Sequence, residues 1–104
     1  MKNRLHYSKL ALNDLDEIWD YLVTEGCSLD IVENVVNKIL DTTALLENFA
    51  ELGARLGNDN FETDYRYIIV NKYFVFYRVV GKTIHIDRII SSRRDFMRIL
   101  FGQS

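Results

Sequence analysis

The segment YRYIIVNKYFVFYRVVGKTIHIDRII, residues 65–90, constrains the fold more than any other part of the chain. It is dense in Val, Ile, Tyr and Phe, residues that suit a pleated surface, and only Asn71-Lys72 and Gly81-Lys82 interrupt it. Short polar breaks of this kind join antiparallel neighbours, so the pattern predicts strands over about 65–70, 73–80 and 83–90 in a meander. In the middle strand Tyr73, Val75, Tyr77 and Val79 alternate with Phe74, Phe76 and Val80, which leaves both faces apolar. Such a strand belongs at the centre of a sheet. It is covered on both sides, or covered on one and lining a groove on the other.

The first half of the chain has a different period. Asn3 to Tyr7 (NRLHY) alternates loosely and suits a short edge strand. Ser8 then reads as an N-cap, after which Ala11, Leu15, Ile18 and Leu22 recur at helical spacing with Leu12 and Trp19 beside them. Asp14, Asp16, Glu17 and Asp20 are assigned to the opposite, acidic face of that helix. Gly26 ends it and Ser28 caps a second helix reaching about Phe49, whose stripe is Val32, Val35, Val36, Ile39 and Leu46. Two helices joined by so short a turn pack antiparallel. Glu51 to Thr63 shows no sustained period and reads as a loop, while Ser92-Arg93-Arg94-Asp95 matches a capping box ahead of a last short helix. Phe96, Ile99, Leu100 and Phe101 form the inner face of that helix. The expected fold is α+β, an antiparallel β-sheet packed against an N-terminal helical hairpin in the order β-α-α-β-β-β-α, within a single domain spanning 1–104.

Composition narrows the classes of function. A chain of 104 residues, 48% hydrophobic and 27% charged, can bury one core. Cys27 is the only cysteine, so an intramolecular disulfide and a cysteine-based zinc cluster are both excluded. His6 and His85 have no ligand-spaced neighbours, so neither a metal nor a cofactor is expected. The charged amino terminus lacks the apolar run of a signal peptide, and no stretch suits a membrane helix, which points to a reduced, cytoplasmic protein. Charge is distributed unevenly. Residues 1–62 hold five Lys/Arg against twelve Asp/Glu, −7, and residues 63–104 hold eight against three, +5. The basic back half is the place to look for a binding surface.

Two arrangements there bear on chemistry. Tyr65, Tyr67, Tyr73 and Tyr77 are interleaved with Arg66 and Arg78, as in a base-stacking surface with phosphate contacts. The commoner arrangement is an aromatic-rich sheet core with charged strand ends. Arg88, Arg93 and Arg94 in RIISSRRDF can likewise bind a partner or pair with Asp87, Asp95 and the acidic first helix. His85 and Asp87 fall on one side of a strand, where an Asp-oriented general base can form, although a hydrogen-bonded or surface pair is more common. Gly81-Lys82-Thr83 lacks the earlier glycine and the following helix of a phosphate-binding loop, and reads as a hairpin turn.

The order of elements, DLDEIWDYL in the first helix and YRYIIVNKYFVFYRVVGKTIHIDRIISSRRDFMRIL at the end resemble the RelE/ParE superfamily, toxins of type II toxin–antitoxin pairs. The resemblance spans nearly the whole chain, is strongest in the last forty or so residues, and is closest to the ParE-like branch. It implies growth inhibition, plasmid stabilization, a cognate antitoxin seated between the hairpin and the sheet, and DNA gyrase as the target. Assembly as a homodimer, or as a heterotetramer with the antitoxin, is compatible with it. The alternative branch cleaves messenger RNA on the ribosome and would here use Arg66, Arg78, Arg88 and His85. A third outcome is a degenerate toxin that only binds its antitoxin. Ser91 stands where many relatives have histidine, Phe96 where many have tyrosine, and Phe74 where the nucleases tend to have arginine. A phenyl ring neither accepts nor donates the proton that RNA cleavage requires, which favours the gyrase branch. Target or antitoxin contacts are expected at Arg66, Tyr73, Tyr77, Arg78, Arg88, Arg93, Arg94 and Phe96.

Overall fold

The computed structural model describes residues 2–58 and 61–102. Strand β1 (Arg4–Tyr7) leads into helices α1 (Lys9–Thr24) and α2 (Leu29–Ala44), and a 3₁₀ turn follows at Leu45–Glu47. Strands β2 (Ala54–Asn58), β3 (Phe61–Val70), β4 (Tyr73–Val80) and β5 (Thr83–Ser91) come next, and helix α3 (Phe96–Phe101) ends the series. The sheet has the order β1-β5-β4-β3-β2. Its three later pairings are antiparallel, and β1 joins β5 in parallel.

The local signals act where expected. Ser8 Oγ accepts from the Ala11 N–H at 3.0 Å and donates to the Asp87 carbonyl at 2.7 Å, so one hydroxyl both caps α1 and ties it to β5. Ser28 caps α2 through Ile31, and Gly26, at φ +86°, makes the turn between the helices. Asn71 (φ +54°) and Gly81 (φ +60°) turn the meander.

Strand β4 is central and covered on both faces. On the helix side Val75 and Tyr77 join Ile84, Ile86 and Ile89 of β5 in a core with Ala11, Ile18 and Ile39. On the far side Phe74 and Phe76 meet the ring of Phe96 at centroid distances of 5.4 and 5.3 Å, so α3 closes that face with aromatic contacts. Between the two, β5 contains a bulge. Phe76 pairs with Arg88 and Tyr77 with Ile86, leaving Asp87 as the extra residue.

Several expectations are corrected. The segment read as a loop contains β2, held by pairing of Ala54 with Tyr67 and Arg55 with Arg66. Its sequence ARLGN has no alternation because an irregular register at Arg55/Gly57 breaks the period. Helix α2 ends at Ala44, where the chain tightens into the 3₁₀ turn, and Phe49 is exposed. Asp95, rather than Ser92, caps α3, accepting from the Arg98 N–H at 3.2 Å, while Ser92 donates its N–H to the Lys72 carbonyl.

The chain before β2 is anchored by Tyr77, whose fully buried hydroxyl donates to the Ala50 carbonyl at 2.9 Å and accepts from the Gly53 N–H at 2.8 Å. A Cβ on Gly53 would lie 2.6 Å from that hydroxyl and 2.7 Å from the Tyr67 carbonyl, so this close approach requires glycine. Replacing Tyr77 with Phe leaves both backbone groups without the hydroxyl and is expected to cost about 1–3 kcal/mol in urea unfolding at pH 7. Burial raises the Tyr77 phenol above its ordinary 10.0. The neutral phenol therefore contributes stability in full below pH 10, and that contribution is lost as pH rises through the raised folded-state value. The alkaline fall in stability is expected to be shallower in Tyr77→Phe, measured by the urea midpoint from pH 8 upward.

Candidate functional site

Asp14 does not belong to the solvent-facing acidic surface of α1. It lies three residues after Ala11 and four before Ile18, on the buried stripe, and is 5% exposed. Its carboxylate holds Arg88 in two hydrogen bonds, Nε to Oδ2 at 2.8 Å and Nη2 to Oδ1 at 2.9 Å. It also accepts from the Ile89 N–H at 2.9 Å. The hydrogen bond to Asp14 pushes the Arg88 guanidinium still higher than usual.

The other sheet arginines are also engaged. Arg78 Nε meets Asp87 Oδ2 at 2.6 Å, and Arg66 Nη1 donates to the Gly53 carbonyl at 2.9 Å. Asp87, on the bulge, thus orients Arg78 and not His85. His85 stands beside His6 across β1 and β5, with ring centroids 5.5 Å apart. Burial, and then the neighbouring Asp87, raises the Tyr65 phenol on the same face. Arg78 and Arg88 share the electrostatic surroundings of Tyr65, whereas Arg66 alternates to the helix side of β3.

The exposed cations gather elsewhere. Arg93 and Arg94, in the turn before α3, line a groove of about 540 Å³ with Lys72 and Tyr73 from the end of the β3–β4 hairpin and Ile89 and Ser91 from β5. Its opposite wall is α1, contributing Asp14, Glu17, Ile18, Tyr21 and Leu22. Of the residues anticipated from sequence, the groove brings together Tyr73, Arg93 and Arg94, with Arg88 fastened to Asp14 in its wall. Tyr77 is core, and Phe96, the first residue of α3, packs on Phe74 and Phe76 on the far face. Glu17, Tyr21 and Lys72 were not anticipated. Lys72 follows the turn residue Asn71 next to the central strand, and Tyr21 lies one turn beyond Glu17 on the groove-facing side of α1.

A second groove, of about 610 Å³, lies around β2 and β3, where Arg55, Arg66 and Arg78 are balanced by Glu51, Glu62 and Asp64. Among the described residues, no cluster of three or more His, Cys, Asp or Glu could hold a metal, and no helix is long and apolar enough to cross a membrane.

Breaking the Asp14–Arg88 pair from one side leaves a buried charge without its partner. Asp14→Ala is expected to lower stability by about 3–5 kcal/mol, measured by denaturant unfolding, with Asp14→Ala/Arg88→Met recovering part of that loss.

Comparison with known proteins bears on the fold and the family. Residues 5–96 match the family described as the ParE toxin of the type II toxin–antitoxin system parDE. The fold superposes on the chromosomal ParDE toxin–antitoxin system of P. aeruginosa with a TM-score of 0.72 and 26% identity, covering 86% of this chain and 96% of that one. The RelBE2 toxin–antitoxin complex of Mycobacterium tuberculosis shares the fold at a TM-score of 0.57 and 17% identity, over 88% of this chain and 99% of that one. The E. coli DinJ–YafQ complex does so at 0.56 and 16%, over 98% of this chain and all (100%) of that one. No curated protein sequence matches the chain. With the profile match spanning most of its length, the chain belongs to the ParE toxin family of type II toxin–antitoxin systems.

Proposed function

We propose that this toxin arrests growth in the cytoplasm by binding DNA gyrase, and that a cognate antitoxin neutralises it by covering the groove between α1 and β5. The observation that carries this reading is the division among its arginines. Arg78 and Arg88 are held by Asp87 and Asp14, while Arg93 and Arg94 stand exposed beside Tyr73. Guanidiniums fixed on carboxylates are poorly placed to take up phosphate charge in an RNA transition state. An exposed cationic turn next to an aromatic ring suits a protein interface, where Arg and Tyr are favoured anchors. Phe96, packed on Phe74 and Phe76, has no proton to exchange and supports binding over cleavage.

The deciding experiment is gyrase supercoiling with the purified chain, freed of antitoxin, beside messenger cleavage on programmed ribosomes. Supercoiling is expected to be inhibited and the messenger left intact. Arg93→Glu with Arg94→Glu is expected to abolish toxicity in cells while unfolding cooperatively at a midpoint within about 0.5 kcal/mol of the parent, since both positions are exposed. Codon-positioned cuts with gyrase unaffected would overturn the reading in favour of the nuclease branch. Neither activity, with antitoxin binding kept, would leave only a partner-binding module.

A further inference from the structure

We propose that His6 and His85 form a binding site for a transition-metal dication of the zinc type, on the face of the sheet opposite the helical hairpin. No spacing motif announces it. The two residues come from opposite ends of the sequence and meet only through the parallel pairing of β1 with β5, in which they are register partners. Leu5 and Tyr7 of β1 pack on the core beneath the hairpin, to which Ile84 and Ile86 of β5 belong. Alternation therefore puts both imidazoles on the other face, side by side on strands about 4.8 Å apart.

The distance between the rings suits chelation. Their centroids are 5.5 Å apart. A zinc ion with Zn–N bonds of about 2.0–2.1 Å lies about 3.2 Å from the centre of each ring, so tetrahedral angles place two ligating rings about 5.2 Å apart. The rings stand at 72° to each other, and bringing one nitrogen of each onto a common ion takes rotation about Cβ–Cγ, a soft torsion in histidine. His6 is exposed and His85 half-buried, so neither ring is locked in the core.

The surroundings set what the pair can hold. Arg78 is the partner of His85 on the β4 side, and its charge is taken up by Asp87 at 2.6 Å. Arg4, two residues before His6 on the same side of β1, makes no ion pair among the described residues and opposes a bound cation. Among the described residues no third His, Cys, Asp or Glu completes a cluster. The pair thus supplies two nitrogens and leaves the other positions to water, and imidazole favours zinc, copper and nickel over magnesium and calcium. A bound ion clamps β1 onto β5 just before the Ser8 N–H, which donates to the Ile86 carbonyl at 2.9 Å where the chain enters α1.

The probe is Zn²⁺, titrated into the tag-free full chain at pH 7 by calorimetry and followed in ¹⁵N and histidine-ring NMR spectra. Saturable micromolar binding is expected, moving the ring signals of His6 and His85 and slowing exchange of the Ser8 amide. His6→Gln and His85→Gln are each expected to weaken binding by about tenfold or more, since even losing a ligand's hydrogen-bond partner costs about that much. Arg4→Gln is expected to tighten it about threefold. Mg²⁺ is expected to leave the ring signals unmoved, and Cys27→Ser, in the turn between the helices, to bind Zn²⁺ as the parent does. Absence of saturable binding, unmoved histidine rings, undiminished binding in the histidine variants, or loss of binding in Cys27→Ser would each overturn the proposal. Should His85→Gln fail to fold, His6→Gln, at an exposed position, decides alone. One ion shared by two chains and lost in His6→Gln would support the pair as the ligand set, with a second copy filling the open positions.

Discussion

The carboxylate of Asp14 is the point on which the two halves of the molecule meet. It spans 74 residues of sequence to reach Arg88 and 75 to reach the Ile89 N–H, and it does so where β1 has left the sheet and β5 would otherwise be bare. Removing an ion pair from water is costly, and the cost is offset only when the remaining hydrogen-bonding capacity is used. Here the guanidinium engages both oxygens and the backbone N–H adds a third contact. The pair ties α1 to β5, the two elements that wall the groove. It also explains part of the uneven charge of the chain. An acidic front half and a basic back half are joined inside the fold, whereas Lys2–Glu47, at 3.6 Å and largely exposed on the lysine side, contributes little.

The aromatic residues of the sheet have a structural occupation. Tyr67 lies 5.8 Å from Phe74, and Tyr65 lies 5.8 Å from Phe101, so the rings contact one another and α3. A base-stacking platform needs open ring faces. Interleaved Tyr and Arg arise here because one strand face is covered by aromatics and the neighbouring strand ends need paired cations. The open cationic surface lies instead in the turn before α3.

Much of the fold was legible in the sequence because its determinants are local. Ser8 and Ser28 cap helices, Asn71 and Gly81 turn hairpins, and the doubly apolar β4 demands two coverings, all of which can be read within a few residues. β2 was hidden because its pairing is supplied by β3, and ARLGN carries no alternation of its own. Asp14 was misplaced because an acid among Asp16, Glu17 and Asp20 looks solvated, yet its position relative to Ala11 and Ile18 already put it on the buried side. In the candidate site, Arg93, Arg94 and Tyr73 were visible as residue types, but their meeting with α1 depends on tertiary geometry. The engagement of Arg66 with a backbone carbonyl has no sequence signature at all.

The bulge at Asp87 has a consequence for how the end of the chain is phased. A strand repeats every two residues, so Ile84 and Ile86 would be followed on the helix side by residue 88. One inserted residue advances the frame, and Ile89 takes the inward place while Ile90 goes to the opposite face with Phe74. The run Ile89-Ile90 can therefore feed two separate cores with neighbouring side chains, both nearly fully buried. The extra residue is absorbed without changing the order of partners on β4, and it sets Asp87 beside Arg78. A homologue one residue shorter there can keep every partner on β4 by closing the bulge, and what it gives up is the carboxylate that holds Arg78.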